Sequence, residues 1–378
     1  MVQTATTRRS RRISANSKVD GTSSKEKRAA APVSDPNPER RCSEDSVDNK
    51  IKGMRVAEDE MSLTSEAETG SAAVSRNDEV AVRHWGAHAA QGRREYMEDV
   101  YSAIPELFTS LPDSAAITAT KDHPVQFFAV FDGHGGSEAS TFSSKHFPDE
   151  VKIDIEAGLC PAMALCNAAY ATEVAFFRSM PGNAAGTTAA CVLIETSTRR
   201  MWISNIGDSR VLLIRKRGRP KTLTTDHDAG NKTELRRIKA AGGIIDDGYV
   251  NASVQTSRSI GDRDAKFMYE NDEDDEDGRN RSRLRHSAAV IPTPEITDYE
   301  LSGKKGNNSS NEDLALIIAC DGLFEAEGDE EYDPEWIAKI VRAGIRAGNE
   351  CDDIAKQLVE RAIDDGSSDN TTACVVLL

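Results

Sequence analysis

Aromatic residues are scarce in this chain of 378 residues, at 5% of the composition, and none of them lies within residues 1–79. That segment carries 14 basic and 14 acidic side chains together with many Ser, Thr and Ala residues. Such a composition buries too little apolar surface to offset the entropy of ordering the chain. We therefore predict a disordered N-terminal tail at 1–79 and a folded domain at 80–378.

Long apolar runs and long basic stretches are also missing. No apolar segment approaches the ~20 residues that a membrane-spanning helix needs, which predicts a soluble protein without a membrane partner. The net charge is −16, and it belongs to the folded part because the charges of the tail cancel. An acidic domain without basic stripes argues against nucleic-acid binding. No heptad repeat is evident, so we expect a monomer.

The seven cysteines form no CxxC pair, and several lie within apolar patterns. This usage is typical of buried, reduced thiols and predicts a cytoplasmic or nuclear protein. The basic cluster RRSRR at 8–12 is interpreted first as part of a solvated tail. A nuclear localisation signal and an organelle transit peptide are the alternatives.

Three aspartates adjoin short apolar runs: Asp132 follows QFFAVF, Asp321 follows LALIIAC, and Asp369 precedes ACVVLL. Apolar runs of this length predict buried strands. Carboxylates converging at the ends of such strands would be poorly solvated and would repel one another. Divalent cations relieve that repulsion, and ligand sets made only of oxygen suit Mg²⁺ or Mn²⁺. The pattern therefore predicts a metal-dependent enzyme that acts on an anionic substrate.

Strands and helices are predicted in blocks rather than in strict alternation, which favours antiparallel sheets with helices on their outer faces. Two polar insertions, 268–287 and 302–313, are predicted as exposed loops, the second at the tip of a long hairpin. The predicted helices are 137–147, 159–180, Thr233–Ala241, 334–347 and 351–365. The predicted strands are Val80–His88, Val100–Ala103, Gln126–Phe131, 187–195, 201–206, 209–215, 289–299, 314–320 and 372–378.

The segment DGHGG at 132–136 combines an acid at a strand end with a histidine among glycines. Gly133 has no Cβ, so its carbonyl can approach an ion closely. His134 has an ordinary pKa near 6.5, which suits proton donation around neutral pH. A glycine-rich turn with a surface histidine is the alternative interpretation.

Other polar motifs offer further groups. Arg94 can present a planar fork of donors to a phosphate, and the adjacent Glu98 and Asp99 can hold metal-bound waters. An ordinary charged turn is the alternative for that segment. The turn GDSR at 207–210 joins two predicted strands and is most simply a hairpin turn, with Asp208 available as an additional carboxylate.

Taken together and in this order, seven motifs resemble the type 2C, or metal-dependent, serine/threonine protein phosphatases. The similarity covers roughly Ala81 to Leu378 and leaves out the tail and the two insertions. The motifs are RxxMED (94–99), DGHGG (132–136), GTTA (186–189), GDSR (207–210), VNASVQTSRSIGD (250–262), ACDGL (319–323) and SDNTT (368–372).

The resemblance implies an α+β fold, a four-layer α/β/β/α sandwich in which two central antiparallel sheets are flanked by helices. It also implies two Mg²⁺ or Mn²⁺ ions and a weaker third ion. The residues that correspond to the metal-binding positions of the family are Asp132 as the bridging ligand, the carbonyl of Gly133, Asp321 and Asp369 as direct ligands, Glu98 and Asp99 through waters, and Asp208 for the third ion.

The same resemblance implies hydrolysis of phosphoserine and phosphothreonine on protein substrates. A hydroxide that bridges the metal ions would attack phosphorus, without a phosphoenzyme. Arg94 would bind the phosphate, and His134 would protonate the departing oxygen. Glu325 stands where the family more often has aspartate, which bears on the site of the third ion.

Two rival functions remain. An α/β-hydrolase could use His134 and the following glycines as an oxyanion loop, but it requires a GxSxG elbow. The string GDSRV at 207–211 lacks the second glycine. A catalytically silent phosphoprotein-binding module on the same scaffold is the other alternative.

Overall fold

The computed structural model describes residues 84–271, 282–302, 312–325 and 333–378. The predicted tail at 1–79 lies outside the described residues, as does the beginning of the strand predicted at Val80–His88. The main predicted strands and helices are present, with bounds that shift by several residues. The strands in chain order are β1 (Trp85–Ala90), β2 (Val100–Phe108), β3 (Val125–Phe131), β4 (Gly133–His134), β5 (Gly186–Thr187), β6 (Ala189–Glu195), β7 (Arg200–Ile206), β8 (Arg210–Arg215), β9 (Lys221–Thr222), β10 (Ile245–Asp246), β11 (Tyr249–Val250), β12 (Ile260–Gly261), β13 (Phe267–Asn271), β14 (Ser282–His286), β15 (Glu295–Glu300), β16 (Asp313–Ala319) and β17 (Thr371–Leu377).

Helices occupy four parts of the described chain. Within those parts, no helix is both long enough and apolar enough to cross a membrane. A short 3₁₀ helix, Asp321–Leu323, follows β16. The α-helices are α1 (Glu138–Glu156), α2 (Pro161–Ser179), α3 (Lys232–Ala240), α4 (Arg263–Lys266), α5 (Glu335–Ala347) and α6 (Cys351–Asp364).

Ten strands form two five-stranded antiparallel sheets. Sheet I has the strand order β1-β17-β16-β8-β9, and sheet II has the order β15-β7-β6-β3-β2. Short turns join β6 to β7 in sheet II, as antiparallel neighbours allow. In contrast, β7 and β8 are consecutive in the chain but lie in different sheets. The turn between them therefore connects the two sheets directly.

Strands that read as continuous apolar runs are buried on both faces. In β3, Phe127 and Phe131 pack in the cluster beneath α1 and α2. The alternating residues Phe128 and Val130 pack in the cluster between the two sheets. Successive side chains of a strand point to opposite faces, so burial of both faces requires an apolar residue at every position. This is why the sequence shows no polar alternation here.

Helices cover the outer face of each sheet. On sheet II, the ring of Phe147 from α1 lies 6.2 Å from the rings of both Phe127 and Phe131, measured between centroids. On sheet I, α6 buries Ile354 and Leu358 completely. Full burial of each such side chain contributes roughly 1.5–3 kcal/mol. The fold is therefore α+β with four layers in the order α/β/β/α, which confirms the predicted fold class.

The prediction of an exposed loop at 268–287 was wrong at both ends of the segment. Strands β13 and β14 form an antiparallel hairpin. Its base is anchored by Phe267, whose ring centroid lies 5.7 Å from that of Phe177 and 5.3 Å from that of His286. Backbone groups pair in a hairpin whatever the polarity of the side chains, so the polar composition concealed the strands. Residues 272–281 lie outside the described part.

The prediction of a hairpin tip at 302–313 was also wrong. Strand β15 belongs to sheet II and β16 to sheet I, so the segment crosses between sheets. Asp313 is buried as the first residue of β16, and its Oδ2 accepts a hydrogen bond of 2.7 Å from the backbone N of Ser302. This bond joins the two ends of the crossing. Residues 303–311 lie outside the described part.

The strand predicted at 289–299 begins later than expected, at Glu295. Pro292 and Pro294 lack the N–H group that a strand needs for pairing. Ala289 is fully buried in a separate small cluster instead of extending β15.

Candidate metal centre and active site

Three strand ends bring the predicted aspartates together. Asp132 follows β3 in sheet II, whereas Asp321 follows β16 and Asp369 precedes β17 in sheet I. Because β16 and β17 are antiparallel, with Ala319 opposite Ala373, the end of one strand and the start of the other lie at the same edge. All three aspartates line one cavity.

This cavity has a volume of about 260 Å³. Thr188, Tyr249 and residues 253–256, none of which the sequence suggested as site residues, complete its wall. The predicted site residues that line it are Arg94, Asp132, Gly133, His134, Asp208, Asp321 and Asp369. The arrangement therefore joins seven of the nine predicted residues in one place.

The carboxylates approach one another closely enough to share cations. One oxygen from each of Asp132, Asp208 and Asp321 lies within 4.8 Å of the other two. A second group, formed by Asp99, Asp132 and Cys320, satisfies the same distance through the cysteine Sγ. Asp132 belongs to both groups, which is the position expected of a bridging ligand.

Burial and mutual repulsion raise the pKa values of these acids. Burial first, and then the charges of Asp321 and Asp99, raise the pKa of Asp132 well above its usual range. Burial together with the charges of Asp208 and Asp369 raises the pKa of Asp321 to about 7. Burial is also the main reason that the pKa of Asp208 is raised to about 6. Clustered acids that are this costly to ionise call for a compensating positive charge.

The residues fit a hard divalent cation. Asp99 Oδ1 and Asp321 Oδ1 are buried and have no hydrogen-bond partner in the described part of the chain. A buried polar atom without a partner is costly, and coordination to an ion would satisfy it. Carboxylate oxygens are the preferred ligands of Mg²⁺ and Mn²⁺.

Glu98 and Asp99 adjoin the cavity but do not line it. Asp99 is buried, and its Oδ2 accepts a hydrogen bond of 2.7 Å from the hydroxyl of Thr372. Glu98 Oε1 accepts a bond of 2.7 Å from the backbone N of Gly136 and so fixes the turn of the DGHGG motif. Their action through metal-bound waters stays a prediction.

Gly133 is needed for a reason that differs from the expected approach to an ion. A Cβ at this position would lie 2.4 Å from the carbonyl oxygen of Glu98 and 2.8 Å from Ser140 Oγ. The backbone of the preceding motif thus packs directly on the glycine. The role of its carbonyl as a metal ligand stays a prediction.

Arg94 lies at the rim of the cavity. Its Nη2 donates a hydrogen bond of 2.5 Å to Asp369 Oδ2, and its side chain is 55% exposed. Burial raises the pKa of Asp369 above its usual value, although Asn370 and Arg94 counteract this. The exposed guanidinium therefore has donors that can reach an incoming anion.

His134 is half-buried on the cavity wall, and its Nε2 lies 2.7 Å from Asp262 Oδ1. Burial lowers the pKa of the imidazole, but the charge and hydrogen bond of Asp262 outweigh it and raise the pKa above the ordinary value. Asp262 was not recognised as a functional residue from the sequence. It ends the motif VNASVQTSRSIGD, which was the available indication.

Asn370 is a second residue whose role sequence reasoning missed. Its Oδ1 accepts a bond of 2.8 Å from the backbone N of Glu98, and its Nδ2 donates to the carbonyls of Gln91 and Tyr96. One amide side chain therefore holds the Arg94–Asp99 segment against the start of β17.

Glu325 contributes to the loop that carries Asp369. Its Oε2 accepts a hydrogen bond of 3.1 Å from the backbone N of Ser368. The longer side chain thus reaches the neighbouring loop, while Asp208 lies with Asp132 and Asp321. A third ion at Asp208 stays a prediction.

The GDSR turn does not form the nucleophile elbow of an α/β-hydrolase. It joins β7 and β8, which belong to antiparallel sheets, whereas the elbow joins a strand to a helix. Ser209 is fully buried, and its hydroxyl lies 2.7 Å from that of Thr188. A nucleophilic serine needs exposure, so this rival function is excluded.

Comparisons with known proteins identify the family. The family model described as Protein phosphatase 2C matches residues 83–371. "Probable protein phosphatase 2C 22" of Arabidopsis thaliana is 31% identical over 307 residues, covering 80% of this chain and 71% of that protein. "Protein phosphatase 2C homolog 2" of Schizosaccharomyces pombe is 32% identical over 308 residues, covering 78% of this chain and 72% of that protein.

Solved structures share the fold. A phosphatase from a pathogenic strain of Toxoplasma gondii superimposes with a TM-score of 0.56 at 21% identity, covering 78% of this chain and 93% of that one. A Caenorhabditis elegans sex-determining protein gives a TM-score of 0.58, also at 21% identity, over 79% of this chain and 66% of that one.

The fold and the family match define the protein as a phosphatase, and the chain belongs to the protein phosphatase 2C family. Members of this family are metal-dependent protein serine/threonine phosphatases. The acidic groups that could hold metal ions are present in this chain.

Proposed function

We propose that this chain is an active phosphatase that hydrolyses phosphoserine and phosphothreonine on proteins with Mg²⁺ or Mn²⁺. The observation that carries the proposal is the convergence of Asp132, Asp208 and Asp321, whose oxygens lie within 4.8 Å of one another. An arginine and a histidine, Arg94 and His134, line the same cavity.

The carboxylates are proposed to hold two cations, with Asp132 as the shared ligand and Asp321 and Asp369 as the others. When bound, the cations would supply a deprotonated water as the nucleophile and would offset the charge of the phosphoryl oxygens. A weaker third ion would use Asp208. Direct attack by water implies that phosphate is never transferred to the protein.

Arg94 is proposed to bind the phosphate of the substrate. Its guanidinium reaches the cavity from the rim and already donates to one carboxylate oxygen, that of Asp369. A planar fork of donors can bind two phosphoryl oxygens at once. This would orient phosphorus above the carboxylates and keep the scissile oxygen towards His134.

His134 is proposed to donate a proton to the departing serine or threonine oxygen. As the P–O bond breaks, its electron pair moves to that oxygen, which takes the proton from the imidazolium. The charge and hydrogen bond of Asp262 favour the imidazolium form and raise the pKa of His134, which suits a proton donor. We further propose a monomer in the cytoplasm or nucleus.

A silent phosphoprotein-binding module would need the same arginine but not the complete set of acids. The experiment that separates the two functions measures phosphate release from a phosphothreonine peptide before and after EDTA, with Mg²⁺ or Mn²⁺ then restored. We expect turnover to disappear with chelation and to return with the metal. Binding of the peptide without turnover at any metal concentration would contradict the proposal.

A second measurement tests the absence of a phosphoenzyme. The protein is mixed with radiolabelled phosphopeptide and quenched in acid during turnover. We expect no label on the protein, because phosphate leaves directly in one displacement. Label that co-migrates with the denatured protein would refute this part of the proposal.

A further inference from the structure

Asp262 is a buried carboxylate that the mechanism above does not use. Its side chain is 3% exposed, and Oδ1 lies 2.7 Å from His134 Nε2. A carboxylate oxygen accepts hydrogen bonds, and we therefore assign the imidazole N–H as the donor. Asp262 Oδ2 is buried without a hydrogen-bond partner in the described part of the chain. Within the described part of the chain, His134 is therefore the side chain that is hydrogen-bonded to Asp262.

Gly186 lies between the strand that carries His134 and the strand that precedes Asp262. In the sheet β12-β5-β4, Gly186 of β5 pairs with His134 on one side and with Gly261 on the other. A Cβ at position 186 would lie 2.3 Å from Asp262 Oδ2. A side chain there would displace the carboxylate, so this glycine leaves the space through which histidine and aspartate meet.

The backbone holds Asp262 in place at a conformational cost. Its φ is 54°, in the left-handed region that residues other than glycine rarely adopt. The backbone N of Asp262 donates to the carbonyl of Ala185 at 3.1 Å. Its own carbonyl accepts from the backbone N atoms of Ala265 and Lys266. These bonds fix the strained residue at the end of β12.

A separate ion pair supports the same segment. Lys266 is completely buried, forms an ion pair with Glu173 of α2, and donates to the carbonyl of Ser259 at 2.8 Å. Glu173 also accepts a bond of 3.2 Å from the backbone N of Gly261. The positive charge of Lys266 is thus taken up by Glu173, and the carboxylate of Asp262 is left for the histidine.

We propose that Asp262 is a positioning residue for His134, an inference that rests on the proposed function. By accepting from Nε2, Asp262 fixes the ring orientation and leaves Nδ1 as the nitrogen that faces the substrate oxygen. During cleavage, the Nδ1 proton moves to the oxygen that leaves phosphorus, while the Nε2 proton stays between histidine and aspartate. The strained backbone and the glycine at 186 are then requirements of this pair.

The test compares two substrates in the full-length protein with saturating Mg²⁺. A phosphothreonine peptide has a poor leaving group that needs a proton, whereas p-nitrophenyl phosphate has a good one that does not. We expect Asp262→Asn to slow the peptide reaction by ~10–100-fold, by analogy with the loss of an orienting partner from a metal-ligating histidine. The rate with p-nitrophenyl phosphate should change by less than about 3-fold.

A matched control and a double variant complete the design. Asp264→Asn removes an exposed acid two residues away and should leave both rates unchanged. His134→Ala should slow the peptide reaction by ~10²–10⁴-fold. The double variant, His134→Ala with Asp262→Asn, should be no slower than His134→Ala alone, because residues that act as one unit are not additive.

The outcomes distinguish this inference from the proposed function. If wild-type protein shows no metal-dependent turnover, the proposed function fails. If wild type is active but Asp262→Asn slows both substrates equally, or slows neither, the positioning role is overturned. Mg²⁺ titration by calorimetry and circular dichroism of Asp262→Asn should match wild type. If metal binding or folding of Asp262→Asn differs from wild type, Gly186→Ala gives a second test. It should slow the reaction with the peptide more than the reaction with p-nitrophenyl phosphate.

Discussion

Buried carboxylates at two places in this molecule have pKa values that are shifted in opposite directions. Around Glu234, which is 1% exposed, three side chains donate to one carboxylate: Arg258, Arg237 and Ser257. Burial alone would raise the pKa of Glu234, but the hydrogen bonds and charges of Arg258, Ser257 and Arg237 together outweigh it and lower the pKa to about 2. In the cavity, burial and the neighbouring acids raise the pKa of Asp321 to about 7.

The difference separates a carboxylate that is neutralised by cationic side chains of the chain from carboxylates that are surrounded by other acids. The carboxylate of Glu234 is satisfied by cationic side chains of the same chain. Asp132 and Asp321 have other acids around them, and Asp321 Oδ1 has no partner among the described residues. Neutralising an acid should therefore have opposite consequences for stability at the two places.

Loss of a cavity carboxylate should have the largest effect, and it concerns activity. We expect Asp132→Asn or Asp321→Asn to lower kcat/KM on a phosphothreonine peptide by ~10³-fold or more, since metal ions supply several kcal/mol of transition-state stabilisation. Calorimetry should show correspondingly weaker Mg²⁺ binding. Full activity of purified Asp321→Asn would show that this acid is not a ligand.

Loss of Glu234 should have the next largest effect, and it concerns stability. Glu234→Ala leaves Arg258 and Arg237 without their shared partner, and removing one member of a buried ion pair costs ~3–5 kcal/mol. Urea unfolding of metal-free protein measures this loss. Glu360→Ala, which removes an exposed acid of α6, is the control and should change little. If Glu234→Ala were as stable as wild type, Glu234 would not stabilise the fold and the proposed difference between the two places would be wrong.

Urea unfolding of a cavity variant should show a smaller change, and this change should be an increase in stability. In metal-free protein, Asp321→Asn removes one of several repelling charges and should raise the free energy of unfolding by on the order of 1–3 kcal/mol. Mg²⁺ should stabilise wild type more than the variant. A metal-free variant less stable than wild type would mean that the acids are already compensated by the protein.

The smallest expected effect is on the pH dependence of stability in metal-free protein, and it also distinguishes Asp321 from Glu234. The pKa of folded Asp321 is about 7, above its usual value of 3.8, so the folded state binds more protons between these values. Stability should consequently fall as pH rises from about 5 to about 7, by ~1–2 kcal/mol. The contribution of Glu234, whose pKa is about 2, is lost only as pH falls below about 4.5. Urea unfolding from pH 5 to 8 in EDTA measures the trend, and saturating Mg²⁺ should remove it.

The site could be predicted where chemistry and strand pattern coincide along the chain. An apolar run adjoins each of Asp132, Asp321 and Asp369. Such a run is short and continuous, which predicts a strand buried on both faces. The bond from His134 to Asp262 has no local pattern, because it joins residues 128 positions apart across Gly186. Only the pairing of three very short strands reveals it.

The errors in the fold have a similar cause. Hydrophobic periodicity reports which side chains are buried, not which backbone groups are paired. The hairpin of β13 and β14 depends on backbone pairing within a segment of mixed composition, and the path of the segment 302–313 depends on which sheet each flanking strand joins. Neither property leaves a mark in side-chain polarity.

The pairing of β1 with β17 has a consequence for the integrity of the site. Trp85 lies opposite Val376, so one of the first strands described completes its hydrogen bonds only with the last. Asp369, which precedes β17, lines the cavity, and the adjacent Asn370 holds the backbone of Glu98 and Tyr96. Loss of β17 and the residues just before it would therefore leave β1 without its partner among the described strands and would remove a carboxylate from the cavity.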